Sequence, residues 1–102
     1  MEAIETAMQL IMHGGNAKSC AMEAIYAAKE GNFEEADKKL QEAEEALLEA
    51  HKVQTSMLIA EANGEKLDIG ILVIHSQDHL MNAITCKDLA TEVVELYKKI
   101  LK

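Results

Sequence analysis

Gly31-Asn32-Phe33-Glu34-Glu35-Ala36 holds a helix stop and a helix start in adjacent residues. An Ala-rich segment precedes it, and Gly31 suits the left-handed C′ position that ends an α-helix. Asn32 then suits the N-cap of the next helix, with Glu35 three residues on to complete a box-like arrangement. Asn63-Gly64 repeats the same chemistry further along. The chain has no Pro and is rich in Ala, Glu, Lys, Leu and Met, so nothing else breaks a helical reading. The two breaks predict three helices, at roughly residues 2–30, 33–62 and 68–101, folded as an all-α antiparallel three-helix bundle in a single domain spanning 1–102.

The apolar spacing supports this division. In the second helix Ala36, Leu40, Ala43, Leu47, Ala50, Gln54 and Met57 recur every three or four residues. Glu34, Asp37, Lys38, Lys39, Glu42, Glu45 and Glu49 form its solvated faces. In the first helix Ile4, Ala7, Met8, Ile11, Ala17, Ala21, Ala24 and Ala28 form the expected core stripe, and Gly14-Gly15 is expected to kink or loosen it. The third helix is apolar on two sides. One stripe holds Val73, Leu80, Ile84, Val94 and Leu101; the other holds Ile71, Ile74, Asp78, Thr85, Leu89, Leu96 and Ile100. A monomeric bundle needs one stripe per helix. The second, with heptad-like spacing, predicts packing on copies of the same helix.

Composition points the same way. The 102 residues include two Tyr, one Phe and no Trp, so the core is built from Ala, Leu, Ile, Val and six Met. Side chains this small bury little area each, which favours further burial by self-association. A formal net charge of −8 argues against nucleic acid and against docking on an anionic membrane. A basic patch on a protein partner fits it. Cys20 and Cys86 belong to no CxxC pair and lie among apolar neighbours, as buried reduced thiols do. With no signal-peptide pattern and no apolar run near the ~20 residues that span a bilayer, a cytoplasmic protein is expected.

One stretch resists explanation by packing. His75-Ser76-Gln77-Asp78-His79-Leu80-Met81 places two histidines and a carboxylate within about one helical turn. At ~100° per residue Asp78 points almost where Ile71, Leu89 and Leu96 point, on the seam expected between copies. Like charges meeting on such a seam require protonation or a shared cation with oxygen ligands; alternatively Asp78 reaches water at the seam's end and sets register. His75 lies about 60° from Asp78 by the same count. Three readings of the histidines compete: a surface or capping role, a zinc pair at i and i+4, and a neutral imidazole that attacks and carries a phosphoryl group. Gln77, His79 and the helix N-terminal region would supply charge stabilisation in the third.

The 75–81 stretch closely resembles the signature of the lactose/cellobiose-type enzyme IIA family of the bacterial sugar phosphotransferase system. Glu49-Ala50-His51-Lys52-Val53-Gln54-Thr55 and Gly15-Asn16-Ala17-Lys18-Ser19 are similar to two further stretches of that family, and the resemblance covers essentially the whole chain. Ser76 stands where Ala is frequent, a small-for-small change. The resemblance implies that His75 is the phosphoryl acceptor, with Gln77 and His79 supporting it. The donor would be phospho-HPr and the next acceptor a cysteine of the cognate enzyme IIB, during uptake of a disaccharide of the lactose/cellobiose/chitobiose class. It also implies a homotrimer in which Asp78 binds one divalent cation, Mg²⁺ or a similar ion, on the threefold axis. Two competing readings are a non-enzymatic helical protein-interaction module, suggested by residues 31–36, and a metal-storage or metal-sensing bundle using His75, Asp78 and His79.

Overall fold

The computed structural model describes residues 3–101, which form three α-helices: α1 (Ala3–Lys29), α2 (Phe33–Ala62) and α3 (Ile71–Ile100). The expected start of the first helix at residue 2 lies outside the described residues. Both breaks work as the local chemistry dictates. Gly31 sits at φ +77°, and the Asn32 N–H donates to the Ala27 carbonyl while Gly31 N–H donates to Ala28. Gly64, at φ +89°, closes α2 through the same pair of bonds, Gly64 N–H to Glu61 and Glu65 N–H to Ala60. Both are Schellman closures, in which a left-handed glycine lets the last carbonyls find donors. Asn32 then caps α2, its Oδ1 accepting from the Glu35 N–H at 3.2 Å.

The helices lie antiparallel in sequence order, so α1 and α3 run in the same direction. Ion pairs and an amide pair mark the α2–α3 register: Asp37 with Lys98 at 2.8 Å, Glu44 with Lys87 at 2.6 Å, and Gln54 with Gln77 at 2.8 Å. α1 packs along its length on both neighbours, whereas α2 and α3 meet over a narrower line. The bundle is elongated, 54 × 21 × 15 Å. Alanines at 7, 17, 21, 24 and 28 on α1 face alanines at 36, 43, 46 and 50 on α2 and at 83 and 90 on α3. Such short side chains let backbones approach closely. Leu10, Leu80 and Val94 are the largest apolar side chains buried completely.

α1 runs unbroken through Gly14-Gly15. The structure corrects three expectations. α3 starts at Ile71 rather than 68: Leu67 turns inward onto the core, and the chain stays extended through Gly70 (φ −115°, ψ −177°) before the helix begins. Ile4 and Met8, assigned to the α1 core stripe, are 63% and 52% exposed. They lie about 120° and 160° around the helix from buried Leu10, beyond the width of an inward stripe. The first α3 stripe also ends early, because Leu101 caps the helix and is exposed. The second α3 stripe is exposed along its whole length: Ile71, Ile74, Asp78, Thr85, Leu89, Leu96 and Ile100 all face outward.

Candidate functional site

His75 stands exposed in the second turn of α3, near the helix end whose unpaired N–H groups favour anions. Its neighbours in sequence point to three different surroundings. Ser76 is fully buried and donates its hydroxyl to the Val73 carbonyl at 2.6 Å, so a polar residue enters the core with its one donor satisfied inside its own helix. Gln77 is half-buried against α2. Its Oε1 accepts from Gln54 Nε2 at 2.8 Å, and its own Nε2 lies 3.6 Å from Met57 Sδ. Asp78 is exposed on the outward stripe, its Oδ2 3.4 Å from Asn82 Nδ2.

His79 turns the other way, toward α1. Its ring centroid is 5.7 Å from that of His75, with the two planes tilted by 36°. It lies over Gly14 and Gly15: a Cβ on Gly14 would be 3.2 Å from His79 Cδ2, and one on Gly15 3.3 Å from His79 Nε2. Each glycine costs about 1 kcal/mol relative to alanine in a helix interior. The chain thus accepts two successive unfavourable helix residues where this imidazole rests.

Within one chain the structure therefore brings His79 beside His75 and sends Gln77 to the opposite side of α3. Two positions that touch these groups were given no role in the site from sequence: Gln54, which lies in the 49–55 stretch, and the glycine pair. Adjacent glycines inside an unbroken helical pattern are the signal for the second, since they are costly unless something needs the space. Among the described residues no group of three His, Cys, Asp or Glu side chains is placed to hold a metal. The His75–His79 pair thus has no third such ligand for zinc among the described residues of its own chain.

Both cysteines are free thiols. Burial, and then the Glu42 and Glu23 carboxylates, push the Cys20 thiol above its ordinary value, with Lys39 opposing weakly. Cys20 is therefore read as a packing residue. Among the described residues no helix is long and apolar enough to cross a membrane.

The comparisons with known proteins identify this three-helix bundle as an enzyme IIA of the sugar phosphotransferase system. The family model "PTS system, Lactose/Cellobiose specific IIA subunit" matches residues 5–98. The "Lichenan-specific phosphotransferase enzyme IIA component" of Bacillus subtilis is 59% identical over 92 residues, covering 90% of this chain and 84% of the relative. The crystal structure of the cellobiose-specific enzyme IIA from Bacillus anthracis superimposes with a TM-score of 0.95 at 52% identity, covering 98% and 92% of the two chains. The IIA(Chitobiose) of the Escherichia coli IIA–HPr complex superimposes with a TM-score of 0.86 at 35% identity, covering 100% and 99%. The chain belongs to the lactose/cellobiose-specific enzyme IIA family and is a component of the phosphotransferase system. That membership displaces the interaction-module and metal-storage readings.

Proposed function

We propose that His75 accepts a phosphoryl group from phospho-HPr and passes it to a cysteine of the cognate enzyme IIB, during uptake of a disaccharide of the lactose/cellobiose/chitobiose class. The observation that carries this is the exposed His75 imidazole, near the N-terminal end of a helix, in a bundle whose other surroundings need no imidazole there. The lone pair of an unprotonated His75 nitrogen attacks phosphorus, and the P–N bond to the HPr imidazole breaks with its electron pair returning to that ring. In the second transfer a cysteine thiolate forms a P–S bond, and the electron pair of the His75 P–N bond returns to His75. Each step exchanges one bond to phosphorus for another, so neither needs an oxidant. Positioning and charge stabilisation supply the catalysis. A carrier that meets HPr works in the cytoplasm, and the solved IIA–HPr complex of a relative supports HPr as the donor.

The exposed second stripe of α3 supports a homotrimer in which three copies pack this face together, bringing three Asp78 carboxylates toward one axis. Two like charges about 4 Å apart repel by about 4 kcal/mol at an effective dielectric of about 20. Three of them need a counter-charge, and a divalent cation with oxygen preference, such as Mg²⁺, fits the donor set. Its role is structural, offsetting the like-charge repulsion in the seam.

The carrier step is tested by incubating the protein with phosphoenolpyruvate, enzyme I and HPr and mapping acid-labile phosphate. The expected result is one phosphoryl group per chain on His75 and none on His75→Ala. Label retained by His75→Ala would overturn the assignment.

A further inference from the structure

The glycine pair of α1 has a partner that is a titratable side chain of the proposed site. Gly14 serves two purposes: an added Cβ would approach His79 Cδ2 at 3.2 Å and also the His79 carbonyl oxygen and Leu80 Cα at 3.6 Å, so its absence lets α1 and α3 backbones come together. Gly15 is different. Within 4 Å of a Cβ placed there, beyond its own helix, lies one atom, His79 Nε2, at 3.3 Å. The space that Gly15 leaves open is thus used by an imidazole nitrogen and by nothing else. Packing between the helices of one chain does not explain its presence.

The ring so seated has a defined place relative to His75. The two side chains are one turn apart on α3, with centroids 5.7 Å apart. His79 is half-buried while His75 is exposed, so the seat holds one ring against α1 and leaves the other free to meet a partner. A phosphoryl group on His75 brings roughly two negative charges. An adjacent imidazole held in one orientation can donate to it, and a donor fixed in advance stabilises developing charge without reorganising during transfer.

We propose that Gly15, with Gly14, is a positioning residue: the pair forms a seat that holds the His79 imidazole beside His75, where it serves the phosphoryl group that His75 carries. This rests on His75 being the carrier. It predicts a division that a merely structural glycine would not produce. Gly15→Ala removes a helix-disfavouring residue, so α1 gains propensity while the His79 ring is displaced by a few tenths of an ångström or turns away.

The experiment is a double-mutant cycle on the full chain, comparing wild type, Gly15→Ala, His79→Ala and the double variant. Thermal unfolding, imidazole NMR signals of His79 and the rate of phosphoryl uptake from phospho-HPr are measured for each. Expected are an unfolding midpoint for Gly15→Ala no lower than wild type, displaced His79 ring signals, and an uptake rate lowered by roughly tenfold. In the His79→Ala background the same glycine substitution should leave the rate unchanged. An equal fall in both backgrounds would overturn the proposal, as would unmoved ring signals or an unchanged rate in Gly15→Ala. If Gly15→Ala does not fold, the double variant should, because the atom it collides with is gone; a double variant that also fails to fold overturns the seat. Failure of the carrier reading shows separately, as label on His75→Ala, since the ring displacement is read without any phosphate.

Discussion

Cys20 and Cys86 share one apolar cluster with Ala21, Ala43 and Ala90, yet they meet solvent differently. Cys20 is buried and Cys86 half-buried. The Cys20 thiol ionises above its ordinary 9.0 because burial, followed by Glu42 and Glu23, opposes the thiolate. The thiolate is the reactive form, so Cys20 is protected twice, by access and by protonation. With iodoacetamide at pH 8, mass spectrometry should find Cys86 modified first and Cys20 only as the bundle opens. The same shift fixes a pH trend. The folded state keeps a proton that the unfolded chain has lost, so this contribution is full below the ordinary thiol range and declines as pH rises through it. Cys20→Ala should flatten part of the loss of stability above about pH 9. Faster labelling of Cys20 than of Cys86 in the folded protein would contradict the packing role.

At the scale of the element, the junction of α1 and α2 depends on single residues. Asn32 both follows the Schellman closure of α1 and accepts the Glu35 N–H of α2. Removing that acceptor in Asn32→Ala should cost about 1 kcal/mol, read as a lower urea midpoint at unchanged slope. A loss near zero would mean that solvent serves the Glu35 N–H equally well. This junction was legible from sequence because its causes are local: a glycine where φ must be positive and a side chain one turn from its acceptor site. The bounds of α2 agree with the expectation at both ends for that reason. The start of α3 was not legible, since it depends on Leu67 reaching a core made by other helices. Ile4 and Met8 were misplaced because periodicity gives the direction of a stripe better than its width. What the glycine pair faces was hidden for a related reason: its partner, His79, lies far away in sequence and becomes visible only when α1 and α3 are laid side by side. The motif nominated His75, Gln77, Asp78 and His79, but their surroundings required the packed bundle: Gln77 against α2, Asp78 on the exposed stripe, and His79 beside His75 and over α1.

At the scale of the whole molecule, a rod 54 Å long carries a stripe of exposed large apolar side chains down α3, among them Ile71, Ile74, Leu89, Leu96 and Ile100. Ile71, 85% exposed, opens that stripe and Ile100 closes it, so a parallel association would cover it from end to end. Asp78 interrupts it, and the interruption sets the energetics of the proposed trimer. If a divalent ion only offsets three converging carboxylates, the apolar residues supply the association and the ion removes a penalty. Replacing buried charged groups by well-packed apolar ones is often neutral or stabilising. Asp78→Leu should therefore form a trimer that sediments identically with and without EDTA, whereas the wild type should hold one ion per three chains and associate more weakly once it is removed. Sedimentation at matched protein concentration, with metal content measured alongside, separates the outcomes. An Asp78→Leu protein that collapses to monomer would show that the ion and its carboxylates supply the association, and the apolar stripe would then need another occupant.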